Sequence, residues 1–453
     1  MRNKWHWMVL SLIWVLIWVC VDGCGKAPQP DFDASVVSDA IVSEDGDRTD
    51  LISSSMTEVN SSTESANPSN EGEEHSYDSK RDGSEEGAEG SEREESQEGM
   101  VDGGEAPVRE QVTLLMVGDI LLHTPVEKSA KREDGSYSYD AIFSKTSDLI
   151  SEADLALVNQ EVILGGTELG ISGYPAFNAP YEVGDDLVEA GFDVICHATN
   201  HAMDKGKAGV VNCLTYWEEN HPEIQILGLH DEPDDPIYIY EKDGMRIAFL
   251  NYTYGTNGIA LPADMPYAVD LLGNKAKVLS DIAYAESHAD FTVVCPHWGT
   301  EYRLTADSSQ EKWTKLFFEN GVDLVLGTHP HVIEPVELLV DDETGHSMLV
   351  YYSLGNFVNW TSSSGDGVAN RMVGGMAQIT LERNEEGEVV ISDYGVTALV
   401  CHLTSGQDGV TVWPLSDYTD ALAEENAIQK QDPNFSLSYC TNLCDTVWGA
   451  LWK

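Results

Sequence analysis

Gly327-Thr328-His329-Pro330-His331 stands directly behind the apolar run Val322-Asp323-Leu324-Val325-Leu326. The run predicts a short buried strand. Two histidines at i and i+2 just past a strand end can aim both imidazoles at one point, and neutral imidazole is a common metal ligand. An isolated His-x-His is more often a pair of hydrogen-bonding loop histidines. Here the balance moves toward a metal site because four other apolar runs also end in ligand-type residues.

Working outward, residues 112–117 form a β-rich run closed by Gly118-Asp119, with His123 four residues beyond the aspartate. Residues 154–158 predict a strand ending at Asn159-Gln160-Glu161, and a strand over 193–196 runs into His197-Ala198-Thr199-Asn200-His201. Residues 291–295 predict another, ending at Pro296-His297-Trp298-Gly299. Helices are expected over 206–219, with Val210, Val211, Leu214 and Trp217 on one face, and over 275–287 and 310–319. Lys242-Asp243-Gly244 and Glu386-Gly387 mark hairpins. Strands that first alternate with helices and later pair as hairpins predict an α/β layered fold with mixed sheets. Beyond about residue 403 the pattern fades, so 110–405 is expected as the folded domain and 406–453 as a C-terminal tail.

The residues behind these runs are carboxylates, amides and imidazoles, the oxygen and nitrogen ligands that Mn, Fe or Zn accept. One carboxylate can bridge two ions about 3.5–4 Å apart, and such a pair both activates water and clamps a phosphoryl oxygen. Each match alone is weak. Five of them, in order and each behind a predicted strand, are a strong joint signal. His197, inside a strand, is read as a core histidine, and Glu301 and Arg303 as residues equally suited to structural pairing and to substrate contact.

The series Gly118-Asp119, Glu161, Asn200-His201, His297 and His329-x-His331 resembles the calcineurin-like metallophosphoesterase pattern. Its wording is closest to the CapA-type poly-γ-glutamate biosynthesis branch, through Asn159-Gln160-Glu161, Thr199-Asn200-His201-Ala202-Met203-Asp204, His297-Trp298-Gly299-Thr300-Glu301-Tyr302, His329-Pro330-His331-Val332 and Tyr352-Ser353-Leu354-Gly355-Asn356-Phe357. The resemblance covers roughly 112–357. It implies a four-layer α-β-β-α sandwich and two divalent ions held by Asp119, Glu161, Asn200, His297, His329 and His331, with His123 as the early histidine ligand. It also implies His201 as the proton donor to a leaving oxygen. Two departures stand out. The pattern's early histidine usually follows the first aspartate by two residues, whereas His123 follows Asp119 by four, and Glu161 replaces the usual bridging aspartate. Both keep metal binding expected and leave phosphoester hydrolysis open, so a non-catalytic scaffold that assists synthesis or export of an anionic polymer is the second reading.

Composition narrows the setting. The chain has 453 residues and a formal charge of −53, which argues against nucleic acid as a partner, because phosphate binding needs clustered Lys and Arg. Arg2 and Lys4 precede an apolar stretch over 7–21, and Val21-Asp22-Gly23-Cys24 resembles a lipoprotein lipobox. Residues 1–24 are therefore expected to be a signal peptide and membrane anchor, which puts the remainder outside the cytoplasm of a bacterial cell. Residues 25–109 are Ser, Gly, Asp and Glu with few aromatics. Such a segment cannot bury enough apolar surface to order itself, and a disordered acidic linker is expected. The eight cysteines do not form a disulfide scaffold in a chain this long, although Cys440 and Cys444 could bridge. No Walker loop, Gly-x-Ser-x-Gly elbow or dinucleotide fingerprint occurs. The expected partners are an anionic envelope polymer or its synthesis complex, and the membrane through the N-terminal segment.

Overall fold

The computed structural model describes residues 110–452 apart from position 234. The expected anchor (1–24) and acidic linker (25–109) lie outside the described residues. The chain builds half of one sheet, then all of a second, then returns to finish the first. The opening part comprises β1 (Gln111–Ile120), α1 (Thr124–Ala130), α2 (Asp140–Phe143), α3 (Ser147–Ser151), β2 (Leu155–Gln160), α4 (Glu182–Glu189), β3 (Val194–Cys196), α5 (Gly206–Asn220) and β4 (Gln225–Leu227). The second sheet follows as β5 (Tyr238–Lys242), β6 (Met245–Thr253), α6 (Lys275–His288), β7 (Phe291–His297), α7 (Ser308–Glu319), β8 (Leu324–Leu326), β9 (Val336–Val340) and β10 (Ser347–Tyr351). The return supplies β11 (Asn356–Val358), β12 (Val373–Arg383), β13 (Val389–Leu403), β14 (Val410–Pro414), α8 (Asp420–Glu425) and α9 (Leu437–Trp448).

The first sheet has the order β14-β13-β12-β1-β2-β3-β4, with β11 also pairing β1, and the second has β5-β6-β7-β8-β10-β9. Both are mixed. β1 to β4 run parallel, as do β6, β7, β8 and β10, while β12 to β14, β5 and β9 are antiparallel to their neighbours. Strand alternation explains the layering. In β6, Met245, Ile247 and Phe249 join the large core shared with the first sheet. Their alternates Ala248, Leu250 and Tyr252 pack in a second core with Val278 and Ile282 of α6 and Phe317 of α7. β10 divides in the same way, Leu349 and Tyr351 inward and Met348 and Val350 outward, with Tyr352 just past its end in the second core. The second sheet is thus covered by the first on one face and by helices on the other. With α4 and α5 also packed into the large core, this gives the expected α-β-β-α arrangement of two mixed sheets.

Three local expectations are corrected. Residues 406–452 do not form a separate tail: Val410–Pro414 pairs with β13, and Cys440, Leu443, Cys444 and Trp448 of α9 are buried in the main core. The pattern fades there because the elements are short and joined by 3-10 turns, which carry little periodicity. Cys440 and Cys444 are free buried thiols four residues apart on one helix. On α5 the buried face is Gly209, Val210, Cys213, Tyr216 and Trp217, while Val211 is 36% exposed.

Burial also creates one measurable pH response. Glu127 is buried, with Oε2 accepting a 2.5 Å hydrogen bond from the Tyr139 hydroxyl and Oε1 making none. Burial, reinforced by the Glu182 charge and opposed by the Tyr139 bond, pushes its carboxyl from the usual 4.5 up to about 8. The folded chain therefore holds this proton more tightly than the unfolded one. The contribution is fully present below about pH 4.5 and is lost as the pH rises through about 8. Glu127→Gln keeps an acceptor for Tyr139 and removes the titration. The fall in Tm between pH 5 and pH 8, measured in chelator by calorimetry, is expected to be shallower in the variant; an unchanged slope would exclude Glu127 as its source.

Candidate metal centre

Parallel strands carry their functional loops at their C-terminal ends, and both sheets present those ends to one place. Asp119 is the penultimate residue of β1, Glu161 directly follows β2, and Asn200 and His201 lie on the loop after β3. From the second sheet, His297 closes β7, and His329 and His331 follow β8. The seam is held by side chains. Asn251 Oδ1 accepts from the Ala198 amide at 2.7 Å, and its Nδ2 donates to the Cys295 carbonyl at 2.7 Å. The Thr199 hydroxyl donates to the Glu161 carbonyl at 2.8 Å.

Two glycines let the backbones close to this distance. A Cβ on Gly118 would stand 1.9 Å from the Gly355 carbonyl oxygen, and one on Gly327 would stand 2.1 Å from that of Tyr352. Asp119 directly follows the first glycine and His329 follows the second by two residues, and at both points the backbone runs against another segment of the chain. The Asp119 amide donates to Gly355 at 2.9 Å, and β1 shifts register between Val117 and Asp119.

The side chains form two groups that share one carboxylate. Asp119, Glu161 and His331 offer ligand atoms within 4.8 Å of one another, and so do Glu161, His297 and His329. His329 and His331 therefore do not aim at a single point. Both adopt left-handed backbone, φ 100° and 59°, and this turns the two rings, 5.7 Å apart by centroid, into different halves of the site. Asn200 joins the second half, its Oδ1 3.0 Å from His297 Nε2. His201 borders the centre, with Nε2 4.0 Å from Glu161 Oε1 and Nδ1 2.7 Å from Asp204 Oδ2. His123, expected as a metal ligand, lies in neither group. Its ring packs edge-on against Phe177 at 5.3 Å, and burial, aided by the charges of His331, His201 and Arg371, pushes its pKa down to about 4. That environment favours a neutral imidazole at the margin.

The donor set fits divalent ions. Both oxygens of the fully buried Glu161 and Nδ1 of His329 make no hydrogen bond, an arrangement that costs about 1–3 kcal/mol per group unless a partner is supplied. Burial raises the Glu161 carboxyl well above its usual range, with the neighbouring Asp119 charge adding to the rise and His331 opposing it. Burial and the charges of neighbouring histidines hold His297 and His329 well below theirs. For His331 burial pulls downward, but Glu161 and Asp119 outweigh it and raise the pKa to about 9. Opposed protonation in so small a volume is what cations relieve, since ligand nitrogen and oxygen must be deprotonated to bind.

Supporting contacts orient the rings. His297 Nδ1 lies 3.0 Å from the Thr328 hydroxyl, leaving Nε2 facing Glu161 at 3.8 Å. Asn159 Nδ2 donates to Asp119 Oδ1 at 2.8 Å. Asn356 Oδ1 lies 3.1 Å from His331 Nδ1, and its Nδ2 donates to the His331 carbonyl at 2.9 Å. Asn257, 3.4 Å from Asn200, was invisible as a site residue in the sequence, and Thr328 was part of the His-x-His stretch without a role of its own. Asn356 stood in plain view inside Gly355-Asn356-Phe357 without a role. Of the two residues behind His297, Glu301 acts electrostatically on Glu161 and His331. Arg303 acts on Asp307 and Glu334 instead.

Comparison with known proteins bears on the same stretch. The model of the family described as bacterial capsule synthesis protein PGA_cap matches residues 113–361. The capsule biosynthesis protein CapA of Bacillus anthracis is 28% identical over 276 residues, 56% of this chain and 63% of that protein. The PGA biosynthesis protein CapA of Bacillus subtilis (strain 168) is 32% identical over 180 residues, 39% of this chain and 45% of that protein. The matched region therefore spans less than two thirds of either relative. Among solved structures, a putative 5'-nucleotidase from Staphylococcus aureus in complex with alpha-ketoglutarate aligns with TM-score 0.40 and 12% identity, over 68% of this chain and 55% of that one.

Proposed function

Because the chain belongs to the bacterial capsule synthesis protein family PGA_cap, whose model matches more than half of it, we propose that it is a metal-dependent phosphoesterase-like hydrolase of poly-γ-glutamate capsule biosynthesis. It works outside the cytoplasm, anchored to the membrane by residues 1–24 and serving an anionic envelope polymer or its synthesis complex. The observation that carries the reading is Glu161, buried between the two ligand groups with both oxygens free of hydrogen bonds.

Asp119, Glu161 and His331 would hold one divalent ion, and Glu161, His297, His329 and Asn200 the other, with Mn, Fe and Zn all compatible with this donor set. When bound, such a pair supplies Lewis-acid activation of water and a clamp on a phosphoryl oxygen. The chain's own residues provide the rest. Thr328 and Asn356 fix the rings of His297 and His331. Asp204 Oδ2 lies 2.7 Å from His201 Nδ1, placed to accept a hydrogen bond from it, and is itself held by the Phe177 amide at 2.6 Å. With the ring protonated on both nitrogens, the Nε2–H would pass its proton to a leaving oxygen bound beside Glu161, and the Nδ1–H held by Asp204 would remain on the neutral imidazole. Asp119, Glu161 and His297 are fully buried, which shields the floor of the site from bulk solvent.

The test is turnover of an aryl phosphate and of poly-γ-glutamate by the full chain, chelated and then reloaded. Metal-dependent release of product is expected on at least one of them. A fully loaded protein that turns over neither, while its loss still disrupts capsule assembly, would make the chain a scaffold.

A further inference from the structure

Arg371 lies beyond the stretch matched by the family model, on the 3-10 turn Val368–Met372, yet it borders the metal centre. Its guanidinium carbon sits 3.6 Å from the centroid of the Tyr302 ring, and that ring is 6.0 Å from the His331 ring. Tyr302 is 45% exposed, so the stack stands at the mouth of the site and not beneath it. Asn356 Nδ2 donates to the Arg371 carbonyl at 3.0 Å as well as to that of His331, which fixes the turn to a candidate ligand.

The charge itself is little used. Nη1 donates to the Thr361 hydroxyl at 3.2 Å, Nε makes no hydrogen bond, and among the described residues the guanidinium forms no ion pair with a carboxylate. In a chain of 78 acidic and 25 basic side chains, most well-placed cations are paired, as Arg132, Arg246 and Arg383 are. A stacked guanidinium is pre-organised for the planar, two-point recognition of carboxylate or phosphate. The exposed Glu301 carboxylate acts on Tyr302 and His331 from the same rim, so an arriving anion has one attractive position and one repulsive one.

We infer that Arg371, stacked on Tyr302, anchors an oxyanion that the substrate carries in addition to the group seated at the ligand cluster. The inference rests on the hydrolase reading for where the reacting group lies. The substrate class is therefore a doubly functional anion: a scissile ester or amide flanked by a second carboxylate or phosphate.

Two arms keep this separable from the reading beneath it. In the binding arm, the Mn-loaded full chain is titrated calorimetrically with glutarate and with inorganic phosphate. Arg371→Met is expected to weaken one of them roughly 10- to 100-fold, the range of a charge-assisted hydrogen bond, and Arg371→Lys by less, with metal content and Tm unchanged. Loss on glutarate identifies a carboxylate anchor; loss on phosphate identifies a phosphate one. In the turnover arm, Arg371→Met is expected to raise KM for 4-carboxyphenyl phosphate and leave phenyl phosphate near wild type. If the wild type hydrolyses neither ester, the hydrolase reading fails while the binding arm still decides Arg371. Affinities that are unmeasurable in the wild type, or equal in wild type and Arg371→Met, overturn the inference. So does loss of metal or of Tm in that variant, which would make Arg371 a structural prop.

Discussion

Glu161→Gln is expected to reduce the metal content of the purified protein from about two equivalents to well below one. A glutamine offers a single neutral carbonyl oxygen, and its NH2 group turns donors toward a cation, so it cannot bridge the two halves of the site. Truncating either terminal histidine removes one ligand from one ion; altering the shared carboxylate removes a ligand from both. The same substitution should leave the metal-free protein at least as stable as the wild type at pH 8. In the wild type both Glu161 oxygens are buried without a hydrogen bond, and burial holds the carboxyl well above its usual range. The apo protein therefore loses stability as the pH rises past that usual range, and the neutral amide does not. Elemental analysis together with apo Tm distinguishes this from misfolding: metal lost with Tm kept or raised supports the shared-carboxylate site, and full metal content in Glu161→Gln would remove it.

His201→Asn is expected to lower turnover about 10²- to 10⁴-fold, the usual contribution of a positioned general acid, with metal content and Tm nearly unchanged. The geometry behind the estimate is the Asp204–His201 pair at 2.7 Å, with Nε2 4.0 Å from Glu161 Oε1. His201 is close enough to reach an atom bound at the cluster, and it belongs to neither group of mutually close ligand atoms. Asparagine preserves polarity and approximate size but cannot deliver the proton. If metal leaves together with activity, His201 is a ligand and the role assigned to it is wrong. Asp204→Asn should follow the same direction more weakly, because it disturbs the orientation of His201 and leaves the ring in place.

Much of the site was legible because each of its parts ends a buried strand. Apolar runs closing in Gly118-Asp119, Asn159-Gln160-Glu161, Pro296-His297 and Gly327-Thr328-His329 are local patterns, and parallel strands put such ends together whatever the loops between them do. The mixed sheets were legible for a similar reason, through hairpin signals at Lys242-Asp243-Gly244 and Glu386-Gly387. What escaped the sequence was set by backbone conformation and by contacts distant along the chain. The separation of His329 from His331 depends on left-handed φ values at both, which spacing alone does not encode. Val211 fits a helical stripe yet faces solvent, because Cys213 and Tyr216 define the packed face. Arg371 carries no motif. It matters through Tyr302 and Asn356, both distant in sequence, and only the folded chain brings them together.

Titrating Mn²⁺ into the chelator-treated full chain while recording its electron paramagnetic resonance spectrum decides whether two ions share the buried Glu161 carboxylate. Ions bridged at about 3.5–4 Å are exchange-coupled. Saturation is expected near two equivalents, with the resolved hyperfine lines of isolated Mn²⁺ giving way to a coupled signal as the second ion binds, and no such coupling in Glu161→Gln. Saturation at one equivalent, or two equivalents that remain magnetically independent, would contradict it.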